Sequence, residues 1–96
     1  MNAKSLGSPS DGIPGQAPRR WEAADGVHID VRGLPAPEPL VAILELVASI
    51  AGATAVIVHH DRDPRMLYPE LAELGWGAET IAGEPGEVRL RLARLP

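Results

Sequence analysis

The sequence predicts a two-layer α+β sandwich, and three observations carry that prediction. Along residues 28–93 the hydrophobic period switches from two to three-and-four and back. Gly33, Pro35, Pro37, Gly52 and Gly75 fall at the switches, where they end one element and begin the next. Hydrophobic residues reach 45%, enough for one core, yet none of the apolar runs approaches the roughly 18 to 20 residues of a membrane span. The predicted order is β-α-β-α-β-β, a mixed four-stranded sheet with two helices on one face.

His28–Val31 alternates, with Ile29 and Val31 on one face and His28 and Asp30 on the other, and reads as a short strand. The loop from Arg32 to Pro37 follows. Leu40, Ile43, Leu44, Val47, Ile50 and Ala51 then recur at helical steps from Pro37 onward. Pro37 or Pro39 fits the first turn, Glu38 suits the helix dipole, and Gly52 ends the helix. Thr54–His59 is β-branched and apolar on both faces, as an interior strand should be. Asp63 before Pro64 reads as a helix cap, with a tight turn over Pro64–Leu67 and regular helix over Tyr68–Leu74. Trp76–Ala82 and Glu87–Ala93 are two strands joined by the turn Gly83-Glu84-Pro85-Gly86, an antiparallel hairpin. The first two strands, each followed by a helix, are parallel.

Residues 1–26 hold seven glycines and prolines among polar residues, and their apolar residues follow no period, so they read as a disordered tail before a domain over 27–96. The tail has no apolar core of a secretory signal after Lys4, which leaves a soluble, cytoplasmic protein as the expectation. About 70 folding residues lie near the lower limit for one unstapled core, so burial in a homodimer is a further expectation.

Composition removes whole classes of function. The chain has no cysteine, which excludes disulfides, zinc–thiolate sites and cysteine nucleophiles. A net charge of −4 and only three aromatic residues (Trp21, Tyr68 and Trp76) argue against nucleic acid, which asks for excess Lys and Arg with stacking rings.

The run Asp30, Gly33, Leu34, Ala36, Pro37, Glu38, Pro39 resembles the D-x-x-G-L-x-C-P-x-P opening of the TusA/SirA sulfur-carrier family. Ile57–Pro64 followed by Tyr68-Pro69-Glu70-Leu71 resembles the second strand and the proline-containing second helix of that family. The resemblance spans residues 28–94 and implies a sheet order 1-2-4-3 with the last strand antiparallel. Ala36, however, stands where that family carries its persulfide cysteine, and a methyl group cannot replace a thiolate. The combination R-G-L-P-x-P-E-P, H-H-D-R-D-P and L-Y-P-E-L is similar to a bacterial, cysteine-less branch, domain of unknown function 2249. That resemblance implies partners among hemerythrin-like or nitrogen-oxide-metabolism proteins.

Ligands of open α/β sheets gather at the carboxyl ends of parallel strands, beside helix N-termini. One loop there brings Arg32, Gly33, Ala36, Pro37 and Glu38; the other brings His59, His60, Asp61, Asp63 and Arg65, with Tyr68 nearby. The first reading is a non-catalytic accessory or binding module that engages a protein partner or small anion through these loops. The second is a metal- or heme-binding protein near nitrogen-oxide or oxygen chemistry, with His59, His60 and Asp61 as ligands to Zn, Fe, Ni or Cu. Adjacent strand residues point to opposite faces, so that set requires the strand to end between the histidines. An enzyme using Asp61, His60 and Arg32 is the weakest reading, because it lacks a nucleophile with an activating partner.

Overall fold

The computed structural model describes residues 18–96. Five strands and two helices follow in the order β1 (Arg19–Ala23), β2 (Gly26–Asp30), α1 (Glu38–Ser49), β3 (Val56–His60), α2 (Leu67–Glu73), β4 (Trp76–Ile81) and β5 (Val88–Arg94). The strands form one mixed sheet in the order β1-β2-β3-β5-β4. Only β2 and β3 pair in parallel; the other three pairings are antiparallel. The described residues are therefore α+β with two helices, as expected, but they form five strands rather than four, and the strand order differs from the expected one by the added edge strand β1.

The fifth strand lies inside the segment expected to be a disordered tail. Arg19–Ala23 pairs with β2 through a two-residue turn, with Trp21 opposite His28. The turn residues are Ala24 and Asp25, and Gly26, the first residue of β2, takes φ +138, which only glycine adopts readily. A Cβ at Gly26 would also lie 2.3 Å from the Ala55 carbonyl oxygen, the acceptor for the Val27 N–H. Residues 1–17 of the expected tail lie outside the described residues.

One face of the sheet meets both helices. Ile29, Val58 and Leu90 form a row across β2, β3 and β5, and Val56 and Leu92 continue the same face. Against them pack Ile43, Leu46 and Val47 of α1 and Leu67 and Leu71 of α2, all buried. Pro69 falls in the first turn of α2, where no helical acceptor exists for an N–H, so it ends nothing. Asp63 does not cap α2. The chain turns once more before the helix, with the Leu67 N–H bonded to the Pro64 carbonyl, so Met66 stands at the cap position.

Candidate functional site

The loops after β2 and β3 meet on one edge, as the parallel pairing requires. Their junction is a single bond: the Gly33 N–H donates to Asp61 Oδ2 at 3.0 Å. Gly33 has φ +84, which turns its N–H across to the neighbouring loop. That bond and the Arg62 guanidinium, 3.1 Å from the other oxygen, hold the Asp61 carboxyl below the usual carboxylate range.

Beside the junction opens a cleft of about 410 Å³. Ala36, Pro37, Pro39 and Leu40 line one wall; His60, Pro64, Met66 and Leu67 line the other. Arg62, Asp63 and Arg65 also border it. The Ala36–Pro37 peptide is cis, which forms the corner from which α1 starts. Met66 is 74% exposed, the most exposed large apolar side chain among the described residues. Arg65 reaches into solvent, with only a loose 3.8 Å approach to Asp63.

Several expected site residues have other duties. Arg32 closes a two-point ion pair on Asp30, Nε to Oδ1 at 2.9 Å and Nη2 to Oδ2 at 2.7 Å. Its guanidinium is thereby committed. Tyr68 donates its hydroxyl to Asp63 at 2.5 Å, and burial with this bond pushes the phenol up to about 12. Glu38 is exposed in the first turn of α1, where Pro37 and Pro39 offer no N–H and the Glu38 N–H is taken by Pro35. A carboxylate and two prolines make a poor anion seat.

The two neighbouring histidines diverge. His60 points toward the cleft and accepts the Asp61 N–H on Nδ1 at 2.9 Å, which puts its ring proton on Nε2. Burial pushes its pKa below the ordinary imidazole value. His59 points through the opposite face of the sheet, where Nε2 lies 2.8 Å from His28 Nδ1 and Nδ1 lies 2.6 Å from Glu87 Oε2. β3 runs through His60, so the strand does not end between the pair and the expected His59, His60, Asp61 metal set is not assembled. Among the described residues, no three His, Asp or Glu side chains converge as ligands. A heme ligated by both rings fails on the same geometry.

The His59 environment contains residues outside the expected site. His28 bonds Asp25 through Nε2 at 2.7 Å. Glu87 takes a two-point ion pair from Arg89, at 3.0 and 2.9 Å, and the Glu84 N–H at 2.8 Å. These donors hold the Glu87 carboxyl at about 2, with Arg89 the main cause. Trp21 stacks on His28 and tilts over His59, with ring centroids 5.1 and 5.2 Å apart. The two-residue turn Ala24-Asp25 sets the register that places Trp21 opposite His28; nothing local marks Glu87.

A family model described as "Uncharacterized conserved protein (DUF2249)" matches residues 28–94. The curated proteins include no match to the chain. No helix among the described residues is long and apolar enough to cross a membrane.

Proposed function

The chain belongs to the DUF2249 family, whose description names no activity, and from the geometry of this chain we propose that it is a non-catalytic binding module. Its cleft seats an apolar side chain of a protein partner, and the arginines on its border meet acidic residues beside that anchor. The observation that carries this reading is the Gly33–Asp61 bond, which fastens two loops around one cleft of largely apolar walls. An apolar pocket with a few charged groups at its edge is the usual form of an anchor site.

A small-anion site is less well supported, because Arg32 is occupied by Asp30 and the start of α1 carries Glu38 between two prolines. By the sequence resemblance to the sulfur-carrier family, Ala36 takes the cysteine position, so thiolate transfer has no nucleophile in this reading. A cytoplasmic setting and hemerythrin-like or nitrogen-oxide-metabolism partners enter this proposal through that resemblance alone.

An NMR titration tests it, with amide signals followed while two probes are added separately. One is a short peptide with a leucine flanked by glutamates; the other is inorganic phosphate. The expected result is movement of the Gly33, Leu40, Arg62 and Met66 amides with peptide, lost in Met66→Asp. Movement with phosphate alone would replace this reading with an anion site, and a flat response to both would remove the cleft as a binding site.

A further inference from the structure

Away from the cleft, the open face of the sheet carries a chain of side-chain contacts from Asp25 to Glu87. Asp25 Oδ1 to His28 Nε2 is 2.7 Å, His28 Nδ1 to His59 Nε2 is 2.8 Å, and His59 Nδ1 to Glu87 Oε2 is 2.6 Å. Each length is that of a hydrogen bond, and each hydrogen bond needs one proton. Ionised carboxylates only accept, so both imidazoles give their outer N–H outward. A neutral imidazole has one proton to give. Two neutral rings therefore supply two protons for three bonds, and their inner nitrogens would present lone pairs to each other at 2.8 Å.

The missing proton does not belong on the carboxyl groups. Glu87 is fixed as a carboxylate by Arg89 and the Glu84 N–H, and the His28 bond holds the Asp25 carboxyl below its ordinary value. The surrounding charges point the same way. Asp25, Asp30 and Glu87 face the pair from the β1–β2 turn, β2 and the turn before β5, while Arg32 and Arg89 answer only two of them. Arg91, one row along, lies 3.8 Å from Glu79, and Arg19 sits over the Trp21 indole at 5.1 Å.

We propose that the His28–His59 pair is a binding site for one proton, held between its inner nitrogens, and that this proton fastens strand β1 to the sheet. All five residues of β1 are exposed, and among the described residues the strand pairs with β2 alone. Its Trp21 ring lies over both imidazoles. With the proton in place, the indole covers a cation and a satisfied hydrogen bond. When the proton leaves as pH rises, two lone pairs oppose each other, the rings part, and Trp21 loses the surface on which it stacks. The site thus couples proton occupancy to docking of the edge strand.

Two NMR readouts on the full chain test this across a pH series. The imidazole nitrogens report where protons sit, and fluorotryptophan reports the indoles, with Trp21 assigned through Trp21→Phe. The expected result is one midpoint common to both rings, uptake of a single proton by the pair, and a Trp21 signal that moves at that midpoint while the buried Trp76 stays still. Asp25→Asn, a change in the exposed turn, frees His28 from its obligation to a carboxylate, so its proton can turn inward. The Trp21 response should then move to lower pH or vanish. His28→Gln should abolish the midpoint common to the two rings. Separate midpoints for the two rings would overturn the proposal, as would a Trp21 signal in the unmodified chain that ignores pH. A stoichiometric transition metal carried by the purified protein and lost in His28→Gln would overturn it as well.

Discussion

The two faces of the sheet bury their residues by different physics. On the helix side, Ile29, Val58 and Leu90 are shielded by aliphatic side chains, and no group needs a particular partner. On the open side, His28, His59 and Glu87 are nearly as well shielded, but each depends on a specific neighbour for its hydrogen bonds. Loss of one methyl-bearing chain from the first face removes contacts in proportion to its size. Loss of one member of the second strands charges and donors that remain buried. β3 joins the two regimes, with His60 on one side favoured as the neutral ring and His59 on the other in a chain that is one proton short.

The largest effect should come from the apolar face. Leu71→Ala opens a cavity in the core and should lower stability by about 3 kcal/mol in urea denaturation, with the Trp21 and His28 signals unchanged below the transition. A simultaneous change at Trp21 would mean that the faces are not independent. Glu87→Gln should follow at about 2 kcal/mol, because the Arg89 guanidinium and the His59 N–H lose their shared acceptor charge. Its acid limb is also diagnostic. The Glu87 carboxyl is lowered from 4.5 to about 2, so its stabilisation is complete above 4.5 and is lost as pH falls from 4.5 toward 2. Glu87→Gln should flatten the pH dependence of stability in that stretch.

His60→Leu should have a smaller effect at neutral pH, about 1 kcal/mol, since the Asp61 N–H loses its acceptor. The folded protein resists protonation of His60 more than the unfolded chain does, so acidification below about 6.5 draws protons preferentially to the unfolded state. Stability should therefore fall with pH there, and His60→Leu should reduce that slope. Smallest of all is Arg65→Ala, whose side chain stands in solvent; a change within about 0.5 kcal/mol is expected. The peptide titration should weaken nonetheless, which would separate the cleft from both faces.

What could be read from the sequence follows the same division. Alternation in Val88–Leu92 and the helical spacing of Ile43 and Val47 reflect one-sided burial against apolar neighbours, a signal written in each segment itself. The meeting of the Gly33 and Asp61 loops follows from two parallel strands ending on one side, so topology alone places the candidate cleft. The open-face array has no such signature. Trp21 sits among exposed residues without a period, and its strand exists because of pairing with β2 and stacking on rings that are distant in the chain. Alternation puts His28 and Asp30 on the face away from Ile29, but it says which face a residue takes, not whether something covers that face. Asp63 before Pro64 was a sound local signal for a cap, but the hydroxyl of Tyr68 claims its carboxylate instead.

The close approach of Gly26 to Ala55 sets a limit on how this protein can vary. In a library with every residue tried at position 26, survivors should be glycine alone, because both the backbone angle and the oxygen of Ala55 reject a side chain. Positions 33 and 86 also have a left-handed backbone, but nothing within 4 Å of an added Cβ, so asparagine should survive there. The hinge between the edge strand and its neighbour is thus the least editable letter of that turn.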